Sequence, residues 1–215
     1  MKLYNSNLSP FTARVRIVAD LKGMPLEVVS PPTDGSYATI TPTAKVPCLD
    51  TGTMRLAESE TICEYLEDLA AAEGKGPSLL GDTPEERART RMVARIGDVY
   101  VMAPLARLFA QLNPANRVEA VAADASADLA TGLAYLESVI GEDGYAVHGR
   151  MTMADASLMP VLFFLKAIGP LLGDPMTKAP RASAYYEAIT RHPPMQKAQG
   201  ELAEALKAYQ EAQRA

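Results

Sequence analysis

Residues 45–69 read KVPCLDTGTMRLAESETICEYLEDL, and this stretch decides the architecture of the first third of the chain. Val46 to Leu49 and Met54 to Leu56 are short β-like runs flanking Asp50-Thr51-Gly52, the residue types that turn one strand back along another. A β-hairpin is predicted. From about Glu58 the period changes, because Ile62, Tyr65, Leu66 and Leu69 fall at i, i+3, i+4 and i+7 on one face of a helix. The window therefore contains β-β-α.

Upstream, Lys2 to Asn5 and Leu26 to Val29 have strand character, and the amphipathic stretch between them stops at Gly23-Met24-Pro25. That is a β-α-β unit, and a polar, Pro/Gly-rich loop, Pro31 to Gly35, follows it before the hairpin. Downstream, Gly74-Lys75-Gly76-Pro77 forms a linker, and after Thr83 the pattern becomes helical. One long helix is expected from Pro84 to about Leu112 and another from Pro114 to about Ile140. Gly141 to Gly144 breaks the second. Thr152-Met153-Ala154-Asp155 then has the N-cap hydroxyl and N3 carboxylate of a capping box, a structural device. Ala156 to Leu165 is apolar on every side, as a helix buried in a bundle must be. Helices from about Ala179 to Thr190 and Pro194 to Ala208 complete an all-α part.

The chain has 215 residues, 48% hydrophobic and 22% charged, enough to bury a core without staples. Its 21 basic and 26 acidic residues leave a net charge of -5. Residues 1–80 hold 7 basic and 10 acidic side chains, the remainder 14 and 16, and no Lys/Arg cluster occurs in either part. Nucleic acid and anionic membrane surfaces are therefore not expected partners. Met1-Lys2 leads into Leu3-Tyr4 without a signal-like apolar run, and the longest apolar run, Leu158 to Leu165, is short of a span. Cys48 and Cys63 have no metal-ligand spacing, and His148 and His192 are the two histidines. No metal site is expected, and a reducing, cytoplasmic setting is.

This order of elements, with Pro47 opening the third strand, resembles the cytosolic glutathione S-transferases. Four motifs in the family's order carry the resemblance. Ser9-Pro10-Phe11-Thr12-Ala13-Arg14-Val15-Arg16 is similar to the start of the first helix in the tau, zeta and omega classes, Lys45-Val46-Pro47 to the cis-proline turn, Glu58-Ser59 to the acidic-Ser pair, and Thr152 to Asp155 to the second-domain capping box. The resemblance implies an α/β thioredoxin-like N-terminal domain, residues 1–76, binding glutathione as co-substrate. An all-α helical-bundle C-terminal domain, residues 83–215, would form a hydrophobic substrate site. A homodimer is implied too.

Ser9 and Pro10 are also an ordinary way to begin a helix. The resemblance implies that Ser9 is catalytic, as a hydrogen-bond donor to the glutathione sulfur and not as a covalent nucleophile. A free thiol ionises near pH 8.5, and a hydroxyl donor together with a helix N-terminus would lower this by one to two units, roughly 1.4–2.7 kcal/mol in favour of the anion. The omega class has Cys where Ser9 stands, so glutaredoxin-like reductase chemistry is not expected.

For the tripeptide itself, the resemblance implies that the cysteinyl unit docks on the backbone of Val46, before Pro47, as a short added strand. Lys45 would meet the glycine carboxylate, or be merely solvated. Ser59 and the helix N-terminus would take the γ-glutamyl carboxylate and Glu58 its ammonium, although both residue types also suit a helix start. Arg14 would stabilise the site in a secondary, supporting role, and Phe11 would lie against bound glutathione and wall the second substrate. That substrate, a small hydrophobic electrophile, is expected between Ser9 and the long fourth helix, near Tyr100, Ala103 and Arg107.

Two positions depart from the family pattern. Thr41 stands before Pro42 where Asn is commoner, and Phe11 stands where zeta-class isomerases carry Cys. The alternatives to a transferase are a glutathione-dependent isomerase or lyase using the same thiolate, and a non-catalytic binding module.

Overall fold

The structure is a computed structural model that describes residues 1–214. By its contacts the chain divides into one unit made of Met1–Ser78 with Pro193–Ala215, and a second made of Leu79–His192.

In the first unit, β1 (Lys2–Tyr4), α1 (Pro10–Leu21) and β2 (Glu27–Val29) form the β-α-β segment, followed by a one-turn helix α2 (Tyr37–Ile40). The hairpin β3 (Cys48–Asp50) and β4 (Arg55–Leu56) leads into α3 (Ser59–Ala72). The sheet order is β2-β1-β3-β4, with β1 parallel to β2 and antiparallel to β3, and β3 antiparallel to β4. Its register places Tyr4 opposite Cys48 and Leu49 opposite Leu56. The predicted hairpin turn is built as its residue types require. Gly52 adopts a φ of 90°, where a side chain would be strained, and its N–H donates to the Asp50 carboxylate at 2.8 Å. That bond holds the Asp50 carboxyl below the usual carboxylate range.

The core of this unit contains Leu3, Val15, Ile17, Leu49, Ile62 and Leu66, all essentially without solvent contact. Helix α1 lies against α3 on one side and α9 (Pro193–Arg214) on another, which explains why it is buried around most of its circumference. Arg16 pairs with Glu201 at 2.6 Å, and Lys197 with Asp20 at 2.8 Å. The terminal helix thus groups with the first unit by contact, whereas its helical character alone gives no reason to separate it from the preceding bundle.

The second unit contains α4 (Pro84–Ile96), a π-helical turn (Gly97–Met102), α5 (Ala103–Phe109), α6 (Glu119–Val139), α7 (Met153–Ile168) and α8 (Pro180–Ile189). The single helix expected over Pro84 to Leu112 is thus three elements. Pro104 has no N–H to give the Tyr100 carbonyl, so the α-helical ladder cannot pass, and a wider turn closes through Ala103 N–H to Asp98 O. The released Tyr100 carbonyl lies against Gly132 of α6, where a Cβ would come within 1.7 Å. Only glycine admits that approach. The second predicted helix begins at Glu119 and not Pro114, because Pro114–Asn116 is a separate 3-10 turn.

Helix α7 is buried on all faces from Met153 to Leu165, as its unbroken apolar character predicts. With the turn that follows, Met153–Leu172 has the length and composition to cross a membrane, but it is mostly buried, as the core helix of a folded unit is. The capping box is present: Thr152 N–H donates to the Asp155 carboxylate at 2.7 Å, and Ala146 N–H binds its other oxygen at 2.8 Å.

Candidate active site

Topology brings three loops of the first unit to one end of the sheet. Chain direction runs out of β1 at Tyr4, into β3 at Cys48 and out of β4 at Leu56, and the antiparallel pairings put all three termini together. Asn5 to Ser9, Lys45 to Pro47 and Ala57 to Ser59 therefore emerge at the same edge. Ser9, Val46, Glu58 and Ser59 are brought to this end, with Arg14 below it.

Ser9 is the N-cap of α1, and its hydroxyl oxygen accepts the Thr12 N–H at 3.3 Å. Capping occupies a lone pair, not the proton, so the hydroxyl can still donate outward. The loop before it is braced by Thr12, whose hydroxyl is 2.7 Å from the Ser6 carbonyl and 3.1 Å from that of Ser9. Pro10 occupies the first helical position, where a missing N–H costs nothing.

Val46-Pro47 is a cis peptide. Among the described residues the Val46 N–H has no hydrogen-bond partner within the protein. Lys45 is exposed, and its carbonyl accepts a bond from the buried Tyr37 hydroxyl at 3.0 Å. Burial, then Cys48 and Tyr4, push the Tyr37 phenol up to about 12, so it stays a donor at working pH. Burial also raises the Cys48 thiol, which makes that neighbour of Pro47 a poor nucleophile.

Glu58 has a φ of 67° and a ψ of 109°, an arrangement that costs a non-glycine residue about 1–3 kcal/mol. Its carbonyl accepts the Ile62 N–H at 2.9 Å, while its exposed side chain makes no capping bond. Ser59 begins α3 and is buried. Arg14, fully buried on α1, donates to the Ser59 hydroxyl at 3.1 Å and pairs with Glu60 at 2.7 Å, and its guanidinium lies 5.5 Å from the Phe11 ring centroid. A zwitterion meeting this corner would find a carboxylate at Glu58 and, one residue on, a hydroxyl and a helix N-terminus backed by a buried cation.

In the second unit Tyr100 is exposed in the π-turn with its ring edge-on to Tyr135, and Ala103 is exposed at the start of α5. Arg107 is clasped by Asp124 and Asp128 of α6, which hold its pKa further up. Its charge is already matched.

Comparison with known proteins identifies the family. Residues 3–76 match the glutathione S-transferase N-terminal domain, and residues 119–188 the glutathione S-transferase C-terminal domain. A maleylacetoacetate isomerase of Pseudomonas aeruginosa is 31% identical over 187 residues, covering 80% of this chain and 84% of the relative. The chain belongs to the glutathione S-transferase family. Members of this family are enzymes that use glutathione. A glutathione S-transferase of Pseudomonas putida is 26% identical over 218 residues, 98% of this chain and 96% of that one. In fold, a glutathione S-transferase of Methylobacillus flagellatus solved with glutathione bound has a TM-score of 0.79 at 21% identity, covering 92% of this chain and 98% of its own. The family fold is therefore a thioredoxin-like first domain with a small mixed sheet, followed by a helical domain.

Sequence reasoning missed Tyr37. The signal was slight: one aromatic residue before Ala38-Thr39-Ile40, in a stretch otherwise polar or rich in proline.

Proposed function

We propose that the enzyme holds glutathione along the loop end of the sheet and raises the thiolate fraction of its sulfur for attack on a small hydrophobic electrophile. The observation that carries this reading is the convergence of Ser9, the unpartnered Val46 N–H, and Glu58-Ser59 at one sheet end. Each offers what one part of the tripeptide needs. Ser9 donates to the sulfur beside the N-terminus of α1. Val46 takes the cysteinyl backbone, Pro47 holding the turn, and Lys45 lies within the segment assigned to the glycine carboxylate. Ser59 receives the γ-glutamyl carboxylate and Glu58 its ammonium. Holding the thiolate in one orientation contributes to rate together with ionisation.

Tyr100 and Ala103 are the residues proposed to meet the electrophile, with Phe11 lining bound glutathione. Because Arg107 is neutralised by two carboxylates, the electrophile is proposed to be apolar and not anionic. The proposed chemistry runs through the thiolate and assigns no role to a metal. The proposed setting is a soluble cytoplasmic homodimer with a detoxifying role, as the family resemblance implies.

A second reading, in which the same thiolate adds reversibly to an activated double bond, is compatible with the relative named maleylacetoacetate isomerase. Phe11, standing where such isomerases carry Cys, speaks against it. Product mass separates the two: incubation with glutathione and a panel of electrophiles should give conjugates that carry the mass of glutathione, less that of any leaving group expelled as its acid. Isomers of unchanged mass would support the second reading, and no turnover of either kind would contradict both.

A further inference from the structure

Resting on that reading of Val46, we propose that Tyr37 is a positioning residue for glutathione, acting through the Lys45–Val46 peptide. The Tyr37 hydroxyl donates to the Lys45 carbonyl at 3.0 Å. That carbonyl and the Val46 N–H belong to one peptide group, which is planar and trans, so the two point in opposite directions. Fixing the oxygen toward Tyr37 therefore aims the N–H away from it.

Three observations make this bond more than loop packing. First, among the described residues Tyr37 is the one side chain from outside residues 42–47 that bonds the backbone of that segment. The segment is otherwise closed by its own turn, Ala44 N–H to Thr41 O at 2.9 Å, with Ala44 at a φ of 50°. Second, Tyr37 is itself anchored. It is 5% exposed, and its ring centroid is 5.3 Å from that of Tyr4, which pairs with Cys48 across the sheet. The hydroxyl therefore refers the peptide to the sheet. Third, among the described residues the N–H so aimed has no partner, and Pro47 next to it has no N–H to offer. A bound peptide backbone meets this donor immediately before Pro47 and the start of β3. Donation to one end of a peptide group also polarises it, strengthening the N–H at the other.

The test is calorimetric titration of glutathione into the wild type, Tyr37→Phe, Tyr37→Leu and Tyr4→Phe, with the pH dependence of thiolate absorbance followed for each complex. Tyr37→Phe keeps the ring and should raise the dissociation constant about three- to tenfold, the factor of one hydrogen bond. The pKa of the bound thiol should not move, because Ser9 and α1 are untouched. Tyr4→Phe should match the wild type. Equal affinity of Tyr37→Phe and wild type, with loss confined to Tyr37→Leu, would reduce Tyr37 to packing and overturn the proposal while the glutathione reading stood. Absence of glutathione binding by the wild type would instead overturn that reading and this inference together. If Tyr37→Phe does not fold, the amide resonance of Val46 in the labelled wild type decides: a shift on glutathione addition larger than those of its loop neighbours supports the proposal, and an unmoved Val46 amide overturns it.

Discussion

Arg14 on α1 reaches both of the first two residues of α3, donating to the Ser59 hydroxyl at 3.1 Å and pairing with Glu60 at 2.7 Å. The two helix N-termini of the site are thereby tied by one guanidinium with no solvent exposure. Charge and position act together: donation to the Ser59 oxygen leaves its proton to face outward, and the buried cation adds to the helix dipole.

Replacing Arg14 with Met removes one partner of a buried pair, so a loss of about 3 kcal/mol is expected, the low end for such pairs because Glu60 can turn to water. Arg14→Lys should fall between, since an ammonium cannot reproduce the fork of a guanidinium. Denaturant unfolding and glutathione titration check this. Stability unchanged in Arg14→Met would show that the pair does not hold the helices together.

Glu58 separates strain from binding. Glu58→Gly should relieve the left-handed backbone and stabilise the fold by about 1 kcal/mol, whereas Glu58→Ala should not. Both should weaken glutathione, having lost the carboxylate. Thermal unfolding alongside titration reads the two effects, and equal stability of the two variants would contradict the strain argument.

Lys22 and Glu67 form a pair at 2.8 Å, both almost fully buried, and Lys22 also donates to the Pro77 carbonyl at 2.6 Å. The pair ties the end of α1 to α3 and to the chain leaving the first unit. Lys22→Met should destabilise by about 3–5 kcal/mol, because it leaves a carboxylate buried without its cation. The double replacement with Glu67→Leu should recover most of the loss. Additive losses in the double variant would refute coupling.

Asp155 links stability to pH. Burial pushes its carboxyl up to about 6, against opposing bonds from Ala146 and Thr152. The folded state then holds this proton more tightly than the unfolded state, so the contribution is greatest below the ordinary value near 3.8 and is lost as pH rises through 6. Relative to Asp155→Asn, the wild type should gain about 1 kcal/mol on going from pH 7 to pH 5. A pH-independent difference between the two would show that the native carboxyl is not raised.

The hairpin, the helix starting near Glu58 and the buried α7 were legible because each rests on local chemistry: an Asp-Thr-Gly turn, a change of period, an apolar run behind a capping box. What escaped depends on partners distant in sequence. The four residues of α2 are too few to display a period, and the use of Tyr37 depends on a carbonyl eight residues away. The π-turn follows from Pro104, yet its consequence is settled by Gly132 on another helix. The grouping of α9 with α1 rests on Lys197–Asp20 and Arg16–Glu201, pairs that no local pattern announces. At the site, residue types were readable and orientation was not. The φ of Glu58 and the pairing of Arg14 with Ser59 belong to the fold.

Ionisation of bound glutathione, followed by thiolate absorbance against pH in the wild type and Ser9→Ala, tests thiol activation most directly. The wild-type complex should ionise one to two units below the free thiol, near 8.5, with the shift mostly lost in Ser9→Ala and the fold weakened by about 1 kcal/mol through the missing cap. A bound thiol that ionises like the free one, or a shift that survives in Ser9→Ala, would contradict the role given to Ser9.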